Sequence, residues 1–480
     1  MKEQKPSPLT GENKMRTMPV GKLLFTMALP LALSMLVQAF YNIVDTYFVS
    51  LVSTDATGAL SFAFPVQNLQ IGFATGIAVG VNSLLSKSLG ENNRERANRS
   101  AGNGIVLMLI VIGLFMLFGA FGTRAYYSMF RINEVTRGYG IDYTSICCIF
   151  TAGIFIEVMG ERLLQASGKT IYTLFTQGIG AVLNILLDPL FILGSQGLEA
   201  RLGIRLPFAM PAFGVAGAAI ATVIGQWVAA ILAVIFNLTK NHDIQFKLSY
   251  LKLDKQVTGK ILTVGIPSVI MMAIGSVMTF CMNQVFLGFS DTYGQTPANV
   301  FGIYFKLQSL FLMPLFGINN ASISIIAYNY GARLPKRIKD TLKCGFGAAF
   351  VIMLLGCGVF QLIPDKLMGI FGSSGDENAA ALVKMGITAM RIVSLHFPIA
   401  AVGIALGASF QALGNGIYST ITSLCRQLVA LVPAAYLLSL TGSVDAVWWS
   451  FPIAEVVSAT VTLLLFARIY KQKVKPMLTN

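Results

Sequence analysis

KLLFTMALPLALSMLVQAFYNIVDTYFVS, residues 22–50, is long and apolar enough to cross a bilayer as a single helix. A span needs about 20 mostly apolar residues, each rising about 1.5 Å. This one carries Pro30 early, Gln38 and Asn42 in the middle, and Asp45 late. Gln38, Asn42 and Asp45 stand at i, i+4 and i+7 and so share a face, which Tyr41 flanks. A carboxyl group inside a span costs several kcal/mol unless it faces protein or water, and such groups usually mark ion or proton paths. Pro30 removes a backbone hydrogen bond and provides a hinge. A hinge and a titratable group on one polar stripe point to a moving, ion-coupled helix. The alternative is a tilted span whose polar residues lock it to its neighbours, which leaves the aspartate unexplained.

The rest of the chain has the same character. Of its 480 residues 55% are hydrophobic and 12% charged, and mean hydropathy is +0.70. These values fit a polytopic membrane protein and exclude an ordinary soluble domain. The net charge of +14 comes from basic residues in short loops between apolar spans, a membrane-topology pattern and not a nucleic-acid patch. Six cysteines lie in or beside apolar spans without a CxxC pair and read as packing residues. The polar stretch up to Met18 shows no cleavable signal pattern.

Twelve spans are expected, at 22–50, 58–85, 101–122, 139–161, 171–194, 213–237, 259–288, 299–327, 343–363, 382–410, 417–440 and 446–469. With the N-terminus in the cytoplasm, 25 of the 35 Lys and Arg fall on that side. Seven, among them Arg131, fall on the other, and Lys306, Arg391 and Arg426 lie within spans. This excess predicts that both termini are cytoplasmic.

The two halves repeat. VGIPS at 264–268 echoes MALPL at 27–31, with Pro267 lying 237 residues after Pro30. AYNYGARLPKRIKDT at 327–341 echoes SKSLGENNRERANRS at 86–100, with Gly331 lying 241 residues after Gly90. QALGNGIY at 411–418 echoes QASGKTIY at 165–172, with Gln411 lying 246 residues after Gln165. An even number of spans per repeat gives both halves the same orientation, related by an axis along the membrane normal. The predicted fold is therefore all-α: two six-helix bundles, 22–237 and 259–469. A cytoplasmic tail (1–21), a basic cytoplasmic linker suited to the membrane surface (238–258) and a second tail (470–480) complete it. Two such bundles around a cleft suit alternating access.

Few acids lie in the spans: Asp45, Glu157, Asp188 and Glu455, with Glu161 at a span end. Asn184 stands one turn before Asp188, and Pro189 follows, so the helix is expected to be distorted there. Asp45, Asn184 and Asp188 offer oxygens to a hard cation or a proton, and Thr222 adds a hydroxyl. By the repeat offsets Asp45 falls on Met282, Asn184 on Ala430 and Asp188 on Ala434. Coupling is therefore expected in the N-terminal bundle alone, unless these acids pair with Lys306, Arg391 or Arg426. Glu157 is a candidate for the cavity wall, while Glu161 is expected to snorkel or pair with Arg162 or Lys169. Glu455 is a weaker candidate for a cationic substrate. His396 reads as a packed residue, and Trp448 and Trp449 as an interfacial belt. No Walker A motif, nucleophile elbow, HExxH or paired-cysteine site occurs, so no enzyme chemistry is expected and transport energy should come from an ion gradient. A potential of 100 mV supplies about 2.3 kcal/mol per charge.

These residues resemble the multidrug and toxic compound extrusion (MATE) transporters over nearly the whole chain. The likeness rests on ALP…NIVDTYFVS, LGENNRERA, QASGKT, NILLDPLFI, GVAGAAIAT, IAYNYGARLPKR and QALGNG, in that order. It implies a V-shaped pair of bundles in the cell membrane that exports small, cationic, amphipathic organic compounds in exchange for Na⁺ or H⁺. It places the ion site, and any bound Na⁺, at Asp45, Asn184, Asp188 and Thr222. No cofactor beyond the coupling ion and no nucleic-acid partner is expected, and the working unit is expected to be a monomer. Gln38, Tyr41, Asn42, Glu157, Met282, Asn283 and Lys306 are further candidates for the cavity or the substrate, and Pro30 for the hinge. The chain departs from the branch with acids in spans seven and eight, since Met282, Asn283, Gln284 and Lys306 stand there. The alternative within the same superfamily is a flippase for lipids or lipid-linked oligosaccharides, which calls for a more cationic cavity.

Overall fold

The structure, a computed structural model, describes residues 13–130, 132–205, 207, 209–369 and 377–478. Residues 1–12 of the expected N-terminal tail, Arg131 and residues 479–480 lie outside the described residues. Among the described residues every regular element is helical. The long helices are α1 (Val20–Ser50), α2 (Asp55–Gly90), α3 (Arg94–Ser128), a bent pair α4 (Glu134–Ile149 and Ala152–Ala166), α5 (Ile171–Arg201) and α6 (Gly214–Lys240). They continue as α7 (Lys255–Leu287), α8 (Thr296–Gly331), α9 (Pro335–Leu362), α10 (Ala380–Ala412), α11 (Gly416–Ser439) and α12 (Val444–Leu478). Eleven are each long and apolar enough to cross a membrane, and the bent pair makes a twelfth span.

Each predicted span falls on one of these helices, and most helices run past it at their polar ends. Capping side chains extend them: Ser53 accepts from the Ala56 N–H at 3.0 Å, Asn93 from Arg96 at 2.9 Å and Asn133 from Thr136 at 2.7 Å. The halves of α4 meet at 46°. There Gln70 Nε2 donates to the Thr151 hydroxyl at 3.0 Å and to the Cys147 carbonyl at 3.3 Å, covering polar groups freed by the bend. The distortion expected at Asp188 is absent. Helix α5 runs through Pro189, and its first non-helical residue is Gly194, with φ 66°. A side chain at Gly194 would lie 2.7 Å from the Met210 carbonyl oxygen, so glycine is needed there on two counts. Helix α1 likewise continues past Pro30. Residues 470–478, expected as a tail, continue α12 as π and 3₁₀ turns.

The helices form two lobes, α1–α6 and α7–α12, and the repeat is visible bond by bond. Asn92 and Arg333, 241 residues apart, both take φ 56°. Gly168 and Gly414, 246 apart, take φ 76° and 73°. Arg96 Nε donates to Ser88 Oγ at 2.9 Å, and Arg337 Nε donates to Asn329 Oδ1 at 3.0 Å, both partners again 241 apart. The lobes meet through the same positions. A Cβ on Gly90 would lie 1.9 Å from the Tyr328 carbonyl oxygen, and one on Gly331 would lie 2.1 Å from that of Lys87. Lys87 and Tyr328 are also repeat partners, so the contact is reciprocal, as a two-fold axis between the lobes requires.

This contact lies at the end of the molecule that carries the linker. Ser324 Oγ donates to Asn82 Oδ1 at 3.1 Å and Ser83 Oγ to the Gln411 carbonyl at 2.7 Å across the same seam. The linker itself is tied to the start of α3. The Gln245 N–H donates to Asn98 Oδ1 at 2.8 Å, Asp254 N–H to Asn103 Oδ1 at 2.7 Å, and Arg99 pairs with Asp254 at 3.2 Å. The Val257 and Gln256 N–H groups, with Arg99, hold the Asp254 carboxyl below the usual carboxylate range. Trp448 is not interfacial as expected: it is fully buried and stacks on Phe286 with ring centroids 4.3 Å apart, while Trp449 is exposed. The aromatic-rich start of α12 turns Trp448 into the second lobe's core, where its large apolar area is removed from water.

Candidate functional site

Helix α1 belongs to both lobes. Its first half, from Leu23 to Leu31, is buried in one cluster with Leu315, Ile325 and Tyr328 of α8. Its last turn is buried in another, where Val49 packs with Tyr143, Ile192 and Ala218 of the first lobe. Pro30 sits at the start of this crossing, where α8 comes so close that a Cβ on Gly317 would lie 2.5 Å from the Ala32 nitrogen.

The far half of α1 carries Asp45 to α5. Asp45 is 8% exposed and Asp188 fully buried, and Asp45 is near enough for its charge to act on Asp188. Asn184 Nδ2 donates to Asp188 Oδ1 at 3.2 Å and to Thr222 Oγ1 at 3.3 Å, joining α5 to α6. One oxygen each of Asp45, Asn184 and Asp188 is buried without a hydrogen-bond partner among the described residues. Three buried acceptors without donors, two of them carboxylates, fit a hard cation or a proton between them. Tyr143 also faces this group: its hydroxyl accepts from Gln67 Nε2 at 2.9 Å and lies within electrostatic reach of Asp45 and Tyr41. Nothing in the sequence singled out Tyr143, because it stands on the first half of the bent α4, far from the acids in sequence.

Beside this cluster a cavity of about 580 Å³ lies between the lobes. That size suits a drug-sized ligand, for which pockets run about 300–1,000 Å³. Gln38, Tyr41 and Glu157 line it, as do Asn184 and Thr222, whereas Asp45 and Asp188 stand behind the wall. Four candidates fall elsewhere. Asn42 is exposed and donates to the Gln38 carbonyl at 3.0 Å, lying on the opposite side of Gln38 from Tyr41 and Asp45 around the helix. Met282 is fully buried in the second lobe's core with Phe286 and Phe301. It holds the position equivalent to Asp45, where close apolar packing leaves no polar site. Asn283 is half-buried and Lys306 exposed, both outside the cavity wall.

Other charged groups also differ from expectation. Glu161 does not snorkel; it is buried, with Oε1 accepting from Thr176 at 2.8 Å and Oε2 from Gln177 at 2.8 Å. Lys169 instead pairs with Asp243 at 3.7 Å, and Arg162 donates to Gln165 at 2.9 Å. Among the described residues neither Asp45 nor Asp188 pairs with Lys306, Arg391 or Arg426. Arg426 lies 4.0 Å from Glu455. His396 is packed as expected, within 3.3 Å of the Tyr304 hydroxyl and against Phe397. Gln165 and Gln411 both line the cavity. The repeat of QASG and QALG was the signal that could have found them. Among the described residues no three His, Cys, Asp or Glu gather as a transition-metal site.

Comparison with known proteins gives a consistent answer. The MatE family profile matches residues 30–190 and 267–437, one stretch in each lobe. The multidrug export protein MepA of Staphylococcus haemolyticus is 23% identical over 451 residues, which cover 93% of this chain and 93% of MepA. The FAD transporter of Shewanella oneidensis is also 23% identical over 451 residues, covering 94% and 95% of the two chains. Among solved structures, MATE in complex with MaL6 superposes with a TM-score of 0.87 at 23% identity, covering 98% of this chain and 100% of that one. The outward-facing conformation of a multidrug resistance MATE family transporter gives 0.85 at 23% identity, with 99% of each chain covered. At such identities the structural likeness concerns the fold.

Proposed function

The chain belongs to the MatE family of multidrug efflux transporters, and we propose that it exports small organic cations in exchange for Na⁺ or H⁺ by alternating access. Members of the family are transporters and not enzymes. The observation that carries the coupling is the double membership of α1. One end is packed into the second lobe, and the other holds Asp45 against Asp188 in the first. Two carboxylates in one buried pocket repel each other unless a cation or proton lies between them. Entry of that ion draws the far half of α1 toward α5. Its loss lets the helix swing about Pro30, which moves the lobe seam. The ion is thus linked to the cavity through Asn184 and Thr222, which line it.

The Lys and Arg asymmetry supports placing the linker end in the cytoplasm of the cell, with both termini on that side. The seam at that end then closes the cavity toward the cytoplasm. Glu157 on the cavity wall supports a cationic substrate, and the single-chain cavity supports a monomeric working unit. The charged lining, Glu157, Glu161, Arg162 and Arg426, has no excess of cations, which counts against a pyrophosphate-carrying lipid substrate. Ethidium efflux from vesicles, with a Na⁺ gradient and a pH gradient imposed separately, tests the proposal. Efflux driven by one gradient names the ion. Folded protein that moves ethidium under neither would turn attention to the flippase.

A further inference from the structure

The first-lobe wall of the cavity carries Glu157, Glu161 and Arg162 and the second-lobe wall Arg426, and at two of these positions the repeat shows a charge in one lobe only. Glu157 lines the first-lobe wall, and its counterpart 246 residues later, Gly403, lines the second. Arg426 lines the second-lobe wall, and its counterpart 246 residues earlier, Gly180, lines the first. The first lobe therefore brings an acid to the cavity and the second a base, where the equivalent position in the other lobe is in each case glycine.

Arg426 is not used up by its partner. Its guanidinium carries five donors, yet the nearest carboxylate oxygen, on Glu455, is 4.0 Å away. A closed Arg–carboxylate pair has N–O distances of about 2.7–2.9 Å, often bidentate. Among the described residues Arg426 makes no hydrogen bond, and 40% of its side chain is exposed, against 6% for Glu455. Glu455 thus steadies the charge from behind and leaves the planar fork facing the cavity. The local backbone is also unusual: Cys425–Leu431 is a π-helix, a form that inside α-helices often marks functional sites. Next to Arg426, Gln427 is fixed by its bond to Ser423 Oγ at 2.7 Å. On α12 of the same wall the buried Thr462 hydroxyl has no hydrogen-bond partner.

We propose that Arg426, tethered by Glu455, is a carboxylate-binding subsite, and that favoured substrates are zwitterionic amphiphiles held between Glu157 and Arg426. This rests on the export reading given above and adds a second charge to its substrate. A substrate with only a positive charge leaves the guanidinium facing a like charge. One with a carboxylate at the other end satisfies both walls, through paired N–H···O bonds at Arg426 that Lys cannot reproduce.

Rhodamine 110, a free acid, and rhodamine 123, its methyl ester, differ only at that group. Their affinities for the purified full chain are to be compared by fluorescence polarisation without any gradient. Wild type is expected to bind the acid about tenfold more tightly than the ester, the scale of one charged hydrogen-bonded contact. In a double variant, Arg426→Gln with Glu455→Gln, which leaves no unpaired buried carboxylate, that ratio should fall to about one. Arg426→Lys, which keeps the ion pair if the double variant fails to fold, should give an intermediate ratio. Equal wild-type affinities, no binding of either dye, or an unchanged ratio in the variants would overturn the subsite. Selective binding without gradient-driven efflux would support the subsite and sink the antiport reading instead.

Discussion

Asp45 and Asp188 are the two residues on which the coupling proposal depends. Each is buried, each keeps one oxygen without a donor, and they sit on different helices. Replacing either by Asn removes one of two repelling charges and leaves an amide of similar shape. Folding should therefore survive, and the thermal transition of the purified protein should be no lower than that of wild type. Gradient-driven ethidium efflux should fall at least about tenfold, since only one of the ion's two carboxylates remains, beside the neutral Asn184 and Thr222. Efflux at the wild-type level in both variants would remove the coupling site from these residues. These acids were legible in the sequence because a carboxyl group in a span has few uses. Tyr143 and Arg426 were not, since their roles come from helices that meet only in the folded chain.

At the level of the element, the seam between α2 and α8 depends on two glycines. The backbone of one lobe lies where a side chain on the other would stand, 1.9 Å from a Cβ placed on Gly90 and 2.1 Å from one placed on Gly331. The obstacle is a carbonyl oxygen in each case, so no side-chain rotation relieves it. Gly90→Ala should force the seam apart at a cost of about 1–3 kcal/mol, raising the share of molecules open at the linker end about tenfold or more. Labelling of Ser83→Cys by an impermeant maleimide, in a background free of the six native cysteines, reports that opening. An unchanged labelling rate would mean that the seam does not control access. The sequence displayed Gly90 and Gly331 as partners of a repeat. That repeat partners would touch through a reciprocal contact followed only from the two-fold relation of the lobes.

For the whole molecule, export by rocking requires the seam to open and close in every cycle. Asn82 and Ser324 already meet across it at 3.1 Å. Cysteines at both positions, in the same cysteine-free background, should cross-link under oxidation and stop efflux, and a reducing agent should restore it. Continued efflux by fully cross-linked protein would rule out movement at this seam. The same view makes α1 a natural transmitter, since its two ends are buried in the cores of different lobes.

Twelve spans, their pairing into two repeats and the choice of Asp45, Asn184, Asp188 and Thr222 as one group could be read directly from the chain. Hydropathy, periodicity and the cost of a buried charge act locally or through the repeat, so they leave marks in one dimension. The tertiary structure alone decided which side of each helix meets its neighbour. It put Met282 and Trp448 in the core, turned Asn42 and Lys306 away from the cavity, bent α4 and brought Arg426 and Glu157 to one cavity. Such choices depend on the packing of helices far apart in sequence, where a rotation of a few tens of degrees exchanges a cavity wall for a core.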